Sequence, residues 1–478
     1  MMGLLMRSRT SMEHITELGP QVSSSMEPSP AVKANVHRKG LEKLMKAVSP
    51  NAFYNSDNCP DPPKCHPNTR VAVISKIIDW ATGMIERDAF MLWLYGPAGA
   101  GKTAISRKVA ELFAEHRLLL ASFLFFRSDP KRNTMKPLVA NIAYHVACII
   151  PATHNLINAA MEADPLILSY SIEVQLTTLI LEPLRLLADQ GYFINWKSPL
   201  LVVIDGLDEC LDKGAQTNFI QFLSSSMAQY PLPLKLLIVS HPKAHIKSAL
   251  SLVGERSKVS HLELNDDFLP DVDICCFLTD MFQDIKKCHP FCSRISPFWP
   301  SEQQINTLIC KASGQFIYAS LAVRFINSTL DSPMRQLDIV LELRPPINHD
   351  LLFAELDTLY TFILSCTKDS PLVLRILGVY DVVKDFYGSV NIAELVLGLE
   401  DEDVSIYLSS LSSLLEVLET KIVFHHSSFM DFLRSPERSK CYCVNSGLSR
   451  SLVTQWIFEA FPSIGMFPLS SVDSVLLG

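Results

Sequence analysis

The chain has 478 residues, 48% hydrophobic and 19% charged, which describes folded domains with real cores and excludes a disordered polymer. Its length suits roughly two to four domains. A net charge of −8 and a pI near 5.9 argue against bulk nucleic-acid binding, so no nucleic-acid partner is expected.

The first 50 residues carry little pattern. The opening MMGLLMRSRTSMEH has too short an apolar core for a signal peptide. Residues 23–30 read as linker, and 40–48 have the spacing of one short amphipathic helix. Between 51 and 70, Pro60, Pro62, Pro63 and Pro67 force a turn-rich path. Helical spacing returns over 71–84, with Trp80 on the apolar face.

The organising stretch follows, FMLWLYGPAGAGKTAISR at 90–107. The apolar run 91–95 predicts a buried strand. It breaks into Gly96-Pro97-Ala98-Gly99-Ala100-Gly101-Lys102-Thr103, which fits G-x-x-x-x-G-K-[ST] at every fixed position. A helix with Ala104, Ile105, Val109, Leu112 and Phe113 on its apolar side comes next. Glycines let backbone N–H groups curl around phosphate oxygens, and the helix N-terminus adds partial positive charge. Lys102 then supplies a point charge for β- and γ-phosphates, and the Thr103 hydroxyl a ligand for Mg²⁺. A plain glycine turn between core elements would need neither residue.

Further strands are predicted at 121–126, 200–204, 234–239 and 257–264, with helices over 137–150 and 174–189. Strands alternating with helices predict an α/β fold, a parallel sheet covered on both faces, with its ligand at the strand C-terminal ends. Asp205-Gly206-Leu207-Asp208-Glu209 closes the 200–204 strand. Asp205 can hold Mg²⁺ directly or through water opposite Thr103, while Asp208 or Glu209 can orient or deprotonate an attacking water. No Asn-Lys-x-Asp segment is present to read guanine, which leans toward ATP and leaves GTP open.

Beyond 269 the strand signal fades. Residues 271–285, 301–325 and 350–365 look helical, then a mixed region ends in VFHHSSF at 423–429, with no repeat of fixed period. The twelve cysteines form no regular framework. Cys59 with Cys65-His66, Cys288-His289 with Cys292, and Cys441 with Cys443 all lack paired C-x₂-C spacing, so they read as packing or loop thiols of a reducing interior. No apolar run reaches the roughly 18 residues of a membrane span, and a cytoplasmic protein is expected.

Taken together, LWLYGPAGAGKTAIS and LLVVIDGLDEC resemble the NACHT NTPases, particularly the large fungal set related to the nephrocystin-like N-terminal NTPase domain. PPKCHPNTR, ASFLFFRSDPKRN, GQFIYASLAVRFI and HHSSFMDFL agree in order, so the likeness spans roughly residues 40 to 440. The resemblance implies a STAND-class signalling ATPase, a relative of AAA+ machines, in which nucleotide state controls assembly. It makes Gly96, Gly101, Lys102 and Thr103 the Walker A site and Asp205, Asp208 and Glu209 the Walker B site. Ser240-His241-Pro242 falls where the family usually has a Ser-Arg-Pro sensor. An arginine is always charged and forked whereas a histidine is not, so this departure bears on phosphate sensing and hydrolysis. His426 lies where related winged helices offer a histidine to the diphosphate, though a cap or core contact suits it equally.

The expected order is an N-terminal remnant at 1–50, the NACHT P-loop NTPase domain at 51–265 and a helical domain at 266–345. A winged-helix-like domain at 346–440 and a helical tail at 441–478 complete it. No effector domain is recognised before residue 40, nor sensor repeats after 440. The expected function is a slowly hydrolysing switch that binds ATP or GTP with Mg²⁺ and assembles as a homo-oligomer or with other signalling proteins. The alternatives are a non-hydrolysing nucleotide-binding scaffold or degenerate NACHT protein, a small-molecule or nucleoside kinase on a P-loop fold, and a purely structural scaffold.

Overall fold

A computed structural model describes residues 39–56, 64–127, 129–252, 258–329, 331–344, 353–384, 386, 388–418 and 420–460. The expected linker at 23–30, Cys59, Pro60, Pro62, Pro63, residues 350–352 and the tail beyond 460 lie outside them. The chain divides into two compact units, 1–277 and 278–478.

The first unit is built on five parallel strands: β1 Ala89–Tyr95, β2 Leu119–Leu124, β3 Leu200–Asp205, β4 Leu234–Ser240 and β5 Lys258–Glu263, in the spatial order β2-β3-β4-β1-β5. Every residue of β2 and β3 is buried, as strands covered on both faces require. The helices of this unit are α1 Lys39–Ala47, α2 Val71–Ala81, α3 Lys102–Glu115, α4 Met135–Ile149, α5 His154–Ala163, α6 Ile172–Leu176, α7 Glu182–Asp189, α8 Lys213–Gln229 and α9 Ala244–Ser251. A π turn, Thr177–Leu181, joins α6 to α7. Trp80, Trp93, Phe113, Phe123 and Phe219 fill the core on the two sides of the sheet.

The sheet order creates the site. The next strand after β1 joins at the far edge, and β4 later fills the place between β1 and β3. Register brings Tyr95 level with Ser240, and Val239 level with Asp205, so the three strands end on one rim. The segments leaving that rim are the glycine loop, the acidic turn and Ser240-His241.

Residues before the P-loop are part of this core. Leu41 and Leu44 of α1 are buried in it, and Gly40 lies so close to α5 that a Cβ there would sit 2.4 Å from the Asn158 carbonyl oxygen. The buried Asn141 side chain accepts from Ser49 N–H (2.8 Å) and donates to Ser49 C=O (2.9 Å).

The second unit is helical. Helix α10, Pro270–Cys288, leads into it, followed by α11 Glu302–Ala312, α12 Phe316–Ile326, α13 Pro333–Glu342, α14 Ala354–Ser365, α15 Ser370–Val383, α16 Ser389–Leu397 and α17 Asp403–Leu408. A two-stranded antiparallel sheet, β6 Leu415–Leu418 and β7 Lys421–Phe424, comes next. Helices α18 Ser428–Arg434, α19 Pro436–Ser439 and α20 Ser446–Ala460 end the described chain. The single helix expected over 301–325 is two, because Ser313 (φ 45°) and Gly314 (φ 74°) are both left-handed and end α11.

Among the described residues no single helix is long and apolar enough to cross a membrane. The bent pair Met135–Ile149 and Pro151–Ala163 qualifies by composition only, and its apolar residues Leu138, Val139, Val146, Ile157 and Met161 are buried in the core.

His145 on α4 lies 4.5 Å, ring to ring, from Phe53, and burial lowers its pKa to about 4. The unfolded chain takes up a proton near pH 6.5, whereas the folded one does so only near 4. Stability is therefore expected to fall as pH drops through that window, by on the order of 2 kcal/mol from this residue. Urea denaturation at pH 7 and pH 4.5 checks this; His145→Gln should flatten the difference.

Candidate nucleotide-binding site

The loop from Gly96 to Gly101 leaves β1 and enters α3 at Lys102. Gly99 (φ 77°) and Gly101 (φ 86°) occupy left-handed backbone that costs glycine little. Gly96 is needed for a different reason: a Cβ there would lie 2.9 Å from the Leu264 Cβ, where the end of β5 passes. Gly101 caps α3 without a side-chain bond, so the first N–H groups of the helix are not taken up by a cap side chain.

Lys102 is buried at the head of α3 and donates to the carbonyls of Gly96 (3.0 Å) and Pro97 (2.8 Å). Burial lowers its pKa to about 8, against the opposing pull of Asp208, Asp205 and Glu209. Behind the loop, the Arg70 guanidinium donates from Nη2 to the Ala100 carbonyl at 2.9 Å.

The acidic side is equally enclosed. Burial raises Asp205 to about 6, although hydrogen bonds with Thr103 and Ser106 and the charge of Lys102 favour the carboxylate. The chain then turns through Gly206 (φ 70°), where a Cβ would approach the Phe125 carbonyl oxygen to 3.3 Å. Residues Leu207–Glu209 form one 3₁₀ turn that carries the other two acids. Asp208 accepts from His241 N–H (3.0 Å) and from His241 Nδ1 (2.8 Å). Burial pushes Asp208 upward, but these bonds and the His241 and Lys102 charges outweigh it and hold the group below its ordinary value. Glu209 accepts from Arg127 N–H at 3.0 Å, and burial brings it to about 7. Arg127 also donates from Nη2 to the Asp208 carbonyl at 3.3 Å.

The rim therefore gathers Gly96 through Thr103, Asp205, Asp208, Glu209, Ser240 and His241. Ser240 is there as a brace: its hydroxyl accepts from Trp93 Nε1 (2.9 Å) and donates to the His241 carbonyl (3.0 Å). His426 belongs to the second unit, where its Nδ1 accepts from Ser428 N–H at 3.0 Å and bonds the Ser428 hydroxyl at 2.8 Å. Three side chains were not singled out from the sequence: Arg70, Ser106 and Arg127. Arg70 and Arg127 lie in PPKCHPNTR and ASFLFFRSDPKRN, segments that carried the family resemblance without a role for either arginine, and Ser106 lies in the helix after the glycine loop.

The donor set fits a magnesium-bound nucleoside triphosphate. A buried ammonium, an open helix N-terminus and left-handed glycines suit phosphate oxygens, and a hydroxyl beside a buried carboxylate suits a hard divalent cation. Among the described residues, no group of three or more His, Cys, Asp or Glu is arranged to hold a metal ion by itself. A cation here would depend on phosphate oxygens and water for its remaining ligands.

Residues 74–241 match the family model of nephrocystin 3, N-terminal. No curated protein matches the chain. Among solved structures, Drosophila ORC bound to AT-rich DNA and Cdc6 is 14% identical, with a TM-score of 0.28, over 96% of this chain and 76% of that one. Drosophila ORC bound to DNA is likewise 14% identical at a TM-score of 0.28, over 91% and 70%. Likenesses at that score carry no argument; the sheet order and rim geometry define the P-loop NTPase fold here.

Gly206→Ala tests the acidic turn. Forcing a Cβ into left-handed backbone against Phe125 should cost about 1–2 kcal/mol of stability. It should also shift Asp208 and Glu209, weakening Mg²⁺–nucleotide binding in calorimetric titration more than a neutral surface substitution does.

Proposed function

We propose that this chain, whose residues 74–241 match the nephrocystin 3 N-terminal family, is a STAND-type switch that binds ATP or GTP with Mg²⁺ and hydrolyses it slowly. The observation that carries the reading is the convergence of Lys102, Thr103, Asp205, Asp208 and Glu209 on one rim, with Asp205 bonded to Thr103. Thr103 and Asp205 would hold Mg²⁺, which when bound neutralises charge on the β- and γ-phosphate oxygens. Lys102 exchanges its two carbonyl partners for phosphate oxygens, and the glycine loop wraps them. Glu209, with a pKa of about 7, is matched to accept a proton from an attacking water near neutral pH. Asp208 stays ionised and fixes His241.

The output of such a protein is conformation. A diphosphate would keep the second unit in a closed state, with His426 as its contact. A triphosphate would release that state and favour assembly with further copies of the chain or with other signalling proteins.

One observation favours the second reading, a nucleotide-binding scaffold that does not hydrolyse. His241 stands where the resemblance places a sensor arginine, and its Nδ1 and N–H are both committed to Asp208. An imidazole so held offers a developing γ-phosphate fewer donors than a forked guanidinium would.

Purified protein is expected to carry ADP or GDP, released on denaturation, and Lys102→Ala is expected to carry none. Steady-state phosphate release should fall at least about 100-fold in Glu209→Gln if Glu209 is the general base. Equal, background-level release from both proteins would leave the scaffold. A wild-type protein that neither carries nucleotide nor takes up Mg²⁺–ATP or Mg²⁺–GTP would overturn both readings.

A further inference from the structure

We propose that Arg70 is a positioning residue for the phosphate site: its guanidinium fixes the Ala100–Gly101 peptide of the glycine loop from behind, and Asp273 at the start of α10 fixes Arg70. This inference rests on reading the loop as a phosphate cradle.

The Ala100–Gly101 peptide sits in the glycine-rich part of the loop. It lies next to Gly101, at φ 86°, with Gly99, at φ 77°, one residue before Ala100. A Cβ at Gly101 would meet nothing within 4 Å, so the space beside that end of the peptide is open, while the buried Ala100 side chain holds the other end. Glycine crosses between backbone regions at low cost, so a peptide unit in such a setting can rotate about its flanking bonds. A trans peptide keeps C=O and N–H pointing in opposite directions. Holding the Ala100 oxygen on Arg70 therefore turns the Gly101 N–H away from Arg70. A charge-assisted bond to the carbonyl also polarises the amide and strengthens the N–H as a donor.

Arg70 is itself held in place. It is 4% exposed and left-handed at φ 57°, directly before α2. Its backbone N–H donates to Asp273 Oδ2 at 3.0 Å, and its Nε lies 3.8 Å from the same oxygen. Thr69 and His66 close the turn in front of it, with Thr69 Oγ1 donating to the His66 carbonyl at 2.7 Å. The His66 ring meets Phe277 of α10 edge-on at 5.4 Å. A buried ion pair seldom adds net stability over apolar packing, because both charges must be desolvated. What this pair supplies is geometry: a fixed donor aimed at one loop carbonyl. The first turns of α10 and the phosphate loop are joined through a single side chain.

The test measures Mg²⁺–ADP and inorganic pyrophosphate binding by calorimetry, well below the melting temperature, in wild type, Arg70→Gln and Arg70→Lys. Losing one charged hydrogen bond to the loop should weaken both ligands about tenfold in Arg70→Gln. Lysine, with one donor in reach, should recover part of that loss. A merely structural role predicts a lower melting temperature with unchanged affinity for the folded protein, and that result overturns the proposal. If Arg70→Gln does not fold, Asp273→Asn keeps the guanidinium and loosens its anchor. It is expected to weaken ADP about threefold, and unchanged affinity there overturns the proposal too. Failure of the wild type to bind either ligand would instead sink the phosphate-site reading itself.

Discussion

The rim of the sheet places an ammonium group, two buried carboxylates and the half-buried Glu209 at the ends of parallel strands. Burial opposes every one of these charges; Lys102 is offset by Asp208, Asp205 and Glu209, Asp208 by His241 and Lys102, and Glu209 by Arg127 against the repulsion of Asp208 and Asp205. The arrangement depends on strand order. Only with β4 inserted between β1 and β3 does His241 arrive beside Asp208, and only with β1 and β3 ending level does Thr103 meet Asp205. Charges held this close in a poorly solvated place respond strongly to a polyanion and a divalent cation, which is what a phosphate site requires.

The acids divide their labour by environment. Asp205 and Glu209 are pushed up by burial, to about 6 and about 7, while Asp208 is drawn down by its histidine. Adjacent carboxylates of different basicity are a way to assign different tasks within one turn. In the proposed mechanism Asp205 would keep to the cation side, Asp208 would orient, and Glu209, at about 7, would have the basicity for proton transfer near neutral pH.

Much of this was legible in the residues. The glycine loop, its strand and the acidic strand end stand in the sequence as local patterns, and the five strands fall where apolar runs predicted. Their edges shifted for local reasons. Strand β2 begins at Leu119 rather than 121, since Leu119 and Leu120 continue the buried run, and α4 begins at Met135, with Pro137 inside its first turn, where a missing N–H costs nothing. The break between α11 and α12 was missed although Gly314, beside the left-handed Ser313, is a helix-ending signal. Arg70 was invisible for a deeper reason: its partner Asp273 is 203 residues away, and only the fold makes them neighbours. Lys235 is similar, a lysine inside a buried strand whose ammonium is capped by the Arg87 and Ala89 carbonyls.

The family likeness begins at residue 74, yet the core it describes does not. Leu41 and Leu44 are buried in the same apolar cluster as β1, and Asn141 bonds both backbone polar groups of Ser49. Strip away everything before 74 and the glycine loop and acidic turn stay whole, but Arg70 is gone and the Asn141 amide in α4 loses both its Ser49 partners. The segment that spells out the chemistry and the segment that must fold to perform it have different borders. The second is set by an asparagine no motif mentions.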